Sequence, residues 1–459
     1  MNASSRSALA CAVLALSAAP AVAQKLDSTQ VVRLLGQLRQ SDSVVCELAG
    51  KSLVNSWWGW SDGAPPMAMP MPMPMPTPMP MPMPHGGGAV WVEPITLDGW
   101  HTNQERWDAG ALAVFRGAVR DPNRCVRSIA VRVMGQSRAA GTYELLTALL
   151  SDRDPAIRET GALGLGELED KRAVRPLGNA LRDQSAGVRA MAAWALGEME
   201  DVSAIDALAR ALGDDDANVR RTAAWGLGQI EEPEGIEPLS RALSDRSIEV
   251  RKTAAWALGE IEDGAAVPAL GRALNDQSAD VRLMAVWALG EIEDASAVNV
   301  IEPALRDRDA RVRFAAVYAL GEIESAGGVR LLTPLIRDPS PEVRRSALWA
   351  IGEIESANGV EPAVTALGDA DPGVRVMACW ALGEIEDEAA VDPLIARLKD
   401  ADVDVRVTAA WALGEIEDAR AIPALRTALE DESGAVRRTA RWALNQMDDE
   451  SGSFRRRRG

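Results

Sequence analysis

The stretch VRKTAAWALGEIED, residues 250–263, recurs along the chain in near-identical copies at intervals of 31 residues. Each copy carries an arginine in register with Arg251, and each arginine follows an aspartate by six residues, as Arg251 follows Asp245. The other arginines are Arg127, Arg158, Arg189, Arg220, Arg282, Arg313, Arg344, Arg375, Arg406 and Arg437. Eleven units in strict register indicate a repeat array, in which each unit buries its apolar face against its neighbours.

The apolar residues of this stretch follow the period of an α-helix. At 100° per residue, those that share one third of the helix circumference are Val250, Ala254, Ala257, Leu258 and Ile261. This face is predicted to form the core. Trp256 falls on the opposite side of the helix, and Ala255 and Gly259 on its flank are small enough to allow close packing of neighbouring helices.

An aromatic residue occupies the position of Trp256 in nine successive units, and we call this set the ring column. Its members are Trp194, Trp225, Trp256, Trp287, Tyr318, Trp349, Trp380, Trp411 and Trp442. One turn after each ring stands an acid or an amide: Glu198, Gln229, Glu260, Glu291, Glu322, Glu353, Glu384, Glu415 and Gln446. One turn before each ring the residue varies: Ala190, Arg221, Lys252, Leu283, Phe314, Arg345, Val376, Val407 and Arg438. A constant pair beside a variable position is typical of a general binding surface with local tuning.

The unit, in generic form AVxxLxxALxDxxxxVRxxAAWALGEIED, resembles the HEAT repeats of the short, alanine-rich type named after phycobilisome (PBS) lyases. The resemblance covers about residues 103–447. It implies an all-α fold, a right-handed α-solenoid of about eleven 31-residue helix-pair repeats, with the ring column on the concave wall. Residues 24–55 are predicted to be a degenerate N-terminal capping repeat, since QVVRLLGQLRQSDSVV resembles AVRPLGNALRDQSAGV at 173–188.

Two interpretations of the ring column remain open at this stage. The rings could pack on the neighbouring unit and seal the wall, because large aromatic side chains contribute strongly to packing. Alternatively, a row of exposed tryptophans is an apolar patch of the kind that marks a contact site, and tryptophan is enriched among residues that dominate binding. The arginine and aspartate series is predicted to be structural, with the aspartate at the turn before each second helix accepting from backbone N–H groups and from an arginine of its own or the adjacent unit.

The segments outside the array predict an exported protein. Residues 1–23 combine Arg6, an apolar run and Ala21-Val22-Ala23, as in a cleaved signal peptide. The 56–102 segment is a tryptophan-containing insertion with a Met-Pro-rich linker at 64–88, where alternate prolines forbid helix and sheet. Residues 448–459 are predicted to be a disordered tail that contains the arginine cluster 455–458. We expect a periplasmic or secreted protein without an integral membrane segment.

The net charge narrows the class of partner, and the cysteines offer one candidate disulfide. The formal charge is −18, which argues against a nucleic-acid partner, because such binders present clustered positive charge. It favours a cationic or neutral one. Of the cysteines that remain after export, Cys379 takes a small core position, and Cys46 and Cys125 are candidates for a disulfide.

The chemistry needed for catalysis is absent from the repeats. The chain has only His85 and His101, both outside the array, so the ligands of the di-iron hydroxylase among HEAT proteins are not present. No Ser/His/Asp set, zinc spacing, P-loop or dinucleotide fingerprint occurs. We therefore predict no enzymatic activity, no cofactor and no metal site in the array. The methionines of the Met-Pro run are candidate Cu(I) ligands, against the simpler interpretation of a low-complexity spacer.

These observations predict an exported, non-enzymatic scaffold that binds a protein or an extended peptide in a Trp/Glu-lined concave groove. The predicted binding residues are the nine members of the ring column with Glu198, Glu260, Glu291, Glu322, Glu353, Glu384 and Glu415. Two alternatives use the same surface. One is a carbohydrate, whose rings stack on tryptophan, and the other is a chromophore or tetrapyrrole, as the lyase resemblance implies.

Overall fold

The computed structural model describes residues 27–39, 107–323 and 327–456, and the repeats within these ranges are pairs of α-helices. A single helix, α1 (Ser28–Leu38), precedes them. The first helices of the pairs are α2 (Ala109–Ala118), α4 (Thr142–Leu149), α6 (Val174–Ala180), α8 (Ile205–Ala211), α10 (Ile236–Ala242), α12 (Val267–Ala273), α14 (Ala297–Ile301), α16 (Gly328–Leu332), α18 (Val360–Ala366), α20 (Val391–Arg397) and α22 (Ile422–Ala428).

The second helices are longer. They are α3 (Arg124–Ser137), α5 (Pro155–Leu168), α7 (Ala186–Glu198), α9 (Ala217–Ile230), α11 (Ile248–Glu260), α13 (Ala279–Glu291), α15 (Ala310–Glu322), α17 (Pro341–Glu353), α19 (Pro372–Ile385), α21 (Val403–Ile416) and α23 (Gly434–Arg456). The prediction of an all-α solenoid of eleven helix pairs is confirmed. No helix of the described ranges is long and apolar enough to cross a bilayer.

The described chain divides into two compact units, one that ends at Ile261 and one that begins at Glu262. Within each unit, successive second helices pack on one another, and each first helix packs on the second helix that follows it. The predicted signal peptide, the predicted 56–102 insertion and residues 40–55 of the predicted capping repeat lie outside the described residues. The backbone of α23 remains helical to Arg456, beyond the predicted end of the array at 447.

Short polar side chains set where the second helices begin. Asp216, the N-cap of α9, accepts hydrogen bonds from the backbone N–H groups of Asn218 and Val219, which lack intrahelical partners. The same helix ends at Glu231, which adopts the left-handed conformation with φ of 55°. A left-handed residue directly after the last turn reverses the chain into the next repeat.

The core face predicted for the stretch 250–263 is confirmed. Val250, Ala254, Ala257 and Leu258 are fully buried, and Ile261 is buried as well. In α1, the apolar residues at helical spacing, Val31 and its partners Leu34, Leu35 and Leu38, are also buried.

A ladder of arginines and aspartates joins successive repeats, and it explains the register of the sequence motif. Arg220 donates from Nε and Nη2 to both carboxylate oxygens of Asp245 in the next repeat, at 2.6 and 2.8 Å. Its Nη1 donates to the carbonyl oxygen of Asp214 at the turn before its own helix, at 2.8 Å. The same two-sided contact recurs at Arg158, Arg189, Arg282, Arg313, Arg344, Arg375 and Arg406. Because each guanidinium ties its own turn to the next one, the ladder fixes the register between repeats.

Helix α1 is joined to the first helix pair. Asp121, which precedes α3, is bound by Arg39 at the end of α1, with an Nη2 to Oδ2 distance of 2.6 Å. Helix α1 also packs against α2. The assignment of residues 24–55 to a capping repeat stays a prediction.

Two neighbouring repeats of the second unit have interrupted first helices. Helix α14 stops at Ile301 and continues as a 3₁₀ helix over Glu302–Arg306, and α16 continues in the same way over Thr333–Arg337. Pro303 and Pro334 occupy the start of these segments. A proline has no N–H to donate to the carbonyl four residues earlier, which ends a regular α-helix.

Candidate binding surface on the second helices

The ring column is not exposed along its whole length. The buried members are Trp194, Trp225, Trp256 and Trp411, each at most 8% exposed. The half-buried members are Trp287, Tyr318, Trp349, Trp380 and Trp442. The expectation of a continuous row of exposed rings is therefore wrong for the four buried tryptophans.

Seven of the rings, buried and half-buried alike, pack against a glycine of the preceding second helix. A Cβ atom built on Gly383 would lie 2.6 Å from Cζ3 of Trp411, closer than real Cβ atoms approach. The same relation holds between the rings and Gly166, Gly197, Gly228, Gly321, Gly352 and Gly414. Glycine in the LGE motif thus makes room for the edge of the next indole, and the packing interpretation of the ring column applies at every one of these junctions.

The predicted carboxylates form a row beside the rings, with uneven exposure. Glu291, Glu322 and Glu353 are exposed, whereas Glu198, Glu260, Glu384 and Glu415 are half-buried. An acid can bond to the ring one turn before it: the hydroxyl of Tyr318 donates to Glu322, and the indole N–H of Trp411 donates to Glu415. Each ring and acid one helical turn apart can therefore act as a unit.

Repulsion between neighbouring carboxylates contributes to raised pKa values in this row. Although Glu291 is exposed as a whole residue, partial desolvation of its carboxylate, followed by repulsion from Glu322, raises its pKa. Burial and the neighbouring glutamates likewise raise the pKa values of Glu384 and Glu415. A cation bound along this row would relieve that repulsion.

A second acidic series flanks the first, and the sequence analysis did not identify it. The glutamate two residues beyond the LGE motif adopts the left-handed conformation, with φ between 46° and 55°, at Glu169, Glu200, Glu231, Glu262, Glu293, Glu355, Glu386 and Glu417. Asparagine or glycine adopts this conformation more readily. The signal in the sequence was the recurring IED, in which a charged residue takes a position that favours glycine.

In the first repeat, an arginine takes the position that the rings occupy in later repeats. Arg132 of α3 occupies the ring position, is 2% exposed and lies 3.3 Å from Glu167 through Nε. Gln136 donates to the same carboxylate at 3.0 Å. Burial and the Glu167 carboxylate raise the pKa of Glu198 to about 7, against the opposing effect of Arg132. The sequence analysis missed this polar cluster because it followed only the aromatic positions.

The most accessible part of the surface lies in the second unit, on α13, α15 and α17. There the half-buried rings Trp287, Tyr318 and Trp349 alternate with the three exposed glutamates. The rings of Tyr318 and Trp349 stack, with centroids 5.1 Å apart and an interplanar angle of 8°. Leu283 and Phe314, one turn before the first two rings, are half-buried and extend the apolar area. We call this area, residues 283–353 of the three helices, the central patch.

Other candidate chemistry is limited. In the part of the chain that the structure describes, no group of histidine, cysteine and acidic residues could hold a metal ion. His85, His101 and the Met-Pro run lie outside that part. Cys379 is buried, and burial raises the pKa of its thiol. Cys125 forms a disulfide, and its predicted partner, Cys46, lies outside the described residues.

Comparison with known proteins places the array in a sequence family. The family described as HEAT repeats matches the overlapping segments 112–178, 143–221, 174–258, 210–280, 267–338, 329–404 and 391–453. No curated protein sequence matches the chain. The resemblance to the PBS lyase subtype stays a prediction, since the match is to HEAT repeats in general.

Solved structures share the fold at low sequence identity. Importin beta is 14% identical with a TM-score of 0.61, over 96% of this chain and 67% of that chain. Kap95p in complex with RanGDP is 15% identical with a TM-score of 0.52, over 74% of this chain and 56% of that chain. Kap121p is 16% identical with a TM-score of 0.53, over 74% of this chain and 46% of that chain. The chain thus spans about half the length of two of these proteins, and the likeness shows the fold alone.

Proposed function

The chain belongs to the HEAT-repeat family, and we propose that it is an exported, non-enzymatic scaffold that binds a cationic, extended protein segment along its second helices. A HEAT-repeat solenoid is a scaffold with a long exposed surface of repeated chemistry, suited to an elongated partner. One of the similar structures, Kap95p, is bound to the protein RanGDP. This supports a protein partner as the class to test first.

The observation that carries the proposal is the coincidence of ring exposure and acid exposure in the central patch. Trp287, Tyr318 and Trp349 offer part of their surface, and the glutamates beside them are exposed. At Trp256 and its buried counterparts the ring has no surface to offer. Of the predicted site residues, those of the central patch therefore remain as binding residues, and Trp194, Trp225, Trp256 and Trp411 are assigned to packing.

The negative charge of the central patch favours a cationic peptide segment as the partner. Glu291, Glu322 and Glu353 lie on one face, and Glu262, Glu293 and Glu355 of the left-handed series follow the same helices or precede them. A lysine or arginine over an aromatic face gains about 0.5–2 kcal/mol, and carboxylates nearby add attraction that salt weakens. The formal charge of −18 acts in the same direction over longer range.

Carbohydrate is the second candidate, favoured by the half-buried indole and phenol rings with carboxylates at their rim. Sugar rings would stack on the ring faces and donate hydroxyl protons to the glutamates. Such binding would depend little on salt, because the ligand carries no charge. This difference separates the two candidates in one titration.

The test is a binding series on the full-length mature protein. A nine-residue arginine peptide, Ac-GGRGGRGGR-NH2, its lysine counterpart, a neutral peptide, a maltooligosaccharide and a tetrapyrrole are titrated at low and high salt by calorimetry. We expect binding of the cationic peptides that weakens as salt rises. Binding of the sugar alone would favour carbohydrate, and binding of the tetrapyrrole alone would favour the chromophore alternative.

A matched pair of variants assigns the binding to the central patch. A triple variant with glutamine at Glu291, Glu322 and Glu353 should bind the cationic peptides about tenfold more weakly, because three screened attractions are lost. The control changes Glu237, Glu361 and Glu388, exposed glutamates of the other helices and turns, to glutamine, with the same change in net charge. Equal weakening in both variants would contradict a local site.

Export has its own test. If residues 1–23 are a signal peptide, the mature protein recovered from a bacterial periplasm begins at Gln24 by N-terminal sequencing. Recovery of the intact N terminus in the cytoplasmic fraction would contradict the proposed location.

A further inference from the structure

Building on the proposed function, we propose that a recess beside Gly290, opened where Tyr318 replaces tryptophan in the ring column, receives one arginine side chain of the bound segment. The recess lies between α13 and α15 below the rim of the central patch, and its floor, Gly290 and Ala319, is buried. The proposal concerns a single position and the guanidinium group that fits it.

The recess lies where the ring column lacks a contact that it makes at other junctions. At seven junctions a Cβ built on the LGE glycine would lie 2.6–3.0 Å from Cζ3 of the next tryptophan, as at Gly321, where Trp349 is 2.8 Å away. At Gly290 the only neighbours within 4 Å are Cβ and Cα of Ala319, at 3.0 and 3.2 Å. The helices thus approach as closely as elsewhere, but no ring covers the glycine.

The residue at 318 explains the gap. A tyrosine lacks the second ring of an indole, which is the part that reaches the glycine at the other junctions. The ring of Tyr318 stacks instead on Trp349, with centroids 5.1 Å apart and planes within 8°. No atom of Tyr318 lies within 4 Å of a Cβ built on Gly290, so the position that an indole edge takes at the other junctions is not filled by this ring.

The surroundings of the recess are aromatic and acidic. Trp287 precedes Gly290 by one turn on the same helix and is half-buried. Glu291 follows Gly290 directly, and the hydroxyl of Tyr318 donates to Glu322. Burial and the bond to Glu322 raise the pKa of Tyr318 to about 12, and repulsion from Glu291 and Glu353 acts in the same direction. Among the described residues, no lysine or arginine pairs with Glu291 or Glu322.

Guanidinium fits these features better than ammonium does. It is planar, so it can enter a narrow space beside a ring face, and its five N–H donors can serve two carboxylates at once. An ammonium group would reach the same acids as a point charge without filling the slot. Neutral side chains would leave Glu291 and Glu322 without a counter-charge.

The test fills the recess with the residue that the array uses elsewhere. Tyr318→Trp places an indole over Gly290, so this repeat should fold as the other repeats do. Circular dichroism and thermal melting are the measurements that check this. The peptide Ac-GGRGGRGGR-NH2 should then bind about fivefold more weakly than to the wild type, and the lysine peptide should change little. Tyr143→Trp, the same substitution at the other tyrosine of the chain, is the matched control and should bind both peptides as the wild type does.

A second variant keeps the test decisive if Tyr318→Trp does not fold. Glu322→Gln removes an exposed carboxylate beside the recess and should weaken binding of the arginine peptide about threefold. Glu237→Gln is its control. Unchanged arginine binding in Tyr318→Trp, or in Glu322→Gln, would overturn the recess, as would equal wild-type affinity for the lysine and arginine peptides.

Failure of the proposed function appears differently. If the wild type binds neither cationic peptide, the binding surface and the recess are both refuted. If Tyr318→Trp binds normally while the triple glutamine variant of the central patch does not, the surface stands and only the recess is refuted.

Discussion

Replacing Trp256 by alanine should destabilise its repeat about as much as a core truncation does, although the residue lies on the face opposite the core. The indole is 2% exposed, and its edge lies against Gly228. A tryptophan buries about 150–250 Å², which at about 25 cal/mol per Å² corresponds to ~4–6 kcal/mol. Alanine retains part of this area, so we expect a loss of ~3–5 kcal/mol. The buried indole N–H has no hydrogen-bond partner, so the loss is one of packing alone.

The assay must resolve single repeats, because a long array does not unfold in one step. Native-state hydrogen exchange measured by mass spectrometry gives the opening free energy of peptides from α11 and from the more distant α7. The loss should be concentrated in α9 and α11, and it should match that of Leu258→Ala, at ~2–5 kcal/mol. A loss below about 1 kcal/mol with unchanged exchange in α9 would refute the reasoning, because the ring would then contribute no packing between the repeats.

Three further substitutions or conditions test the scaffold, and one deletion tests the linker. Arg282→Ala should lower stability by ~1–3 kcal/mol without changing ligand preference, because the Asp307 carboxylate loses its partner; an unchanged denaturation midpoint would contradict this. Burial raises the pKa of Asp307, but the hydrogen bond and the charge of Arg282 outweigh burial and lower it. The ion pair therefore stabilises the folded protein above about pH 4, and this stabilisation is lost as the pH falls through the lowered pKa. The difference between wild type and Arg282→Ala should therefore shrink on acidification. Gly383→Ala should cost ~1–3 kcal/mol by overpacking, whereas Gly178→Ala, whose nearest neighbour is 3.8 Å away, should be neutral or stabilise by up to about 1 kcal/mol; equal effects would refute the ring contact. Deletion of 67–84 should leave helicity and melting temperature unchanged, and loss of stoichiometric Cu(I) binding on deletion would favour the copper interpretation.

The period of the motif was enough to predict the fold. A register of 31 residues with helical apolar spacing allows one arrangement, pairs of helices stacked on their neighbours. It also identified Arg220 and its counterparts as structural. The direction of each rung, from one arginine to the aspartate 25 residues later, could not be predicted, because the spacing within a unit is the same whichever neighbour supplies the carboxylate.

The exposure of the rings could not be predicted from the helix alone. Both interpretations place Trp256 on the same helix face, and the difference lies in what the neighbouring repeats place over the ring. One such contact is with Gly228, which belongs to the preceding repeat. The helical wheel contains one repeat at a time, so it identifies the face and not its burial.

The ring column therefore combines two roles that one sequence position can serve in different repeats. Where the indole edge reaches the preceding glycine and the ring is fully covered, as at Trp256, the residue holds repeats together. Where part of the ring stays accessible beside exposed acids, between Leu283 and Glu353, it can also meet a partner. With about 8–10 Å between neighbouring second helices, the outer two of three helices are roughly 16–20 Å apart, which an extended segment covers with about five to six residues at about 3.3 Å each. About three residues of such a segment separate successive repeats, so side chains at every third position would meet equivalent rings. The side chain opposite Gly290 would meet the recess, and for this reason Tyr318, rather than the tryptophans of the column, would determine where the partner places its arginine.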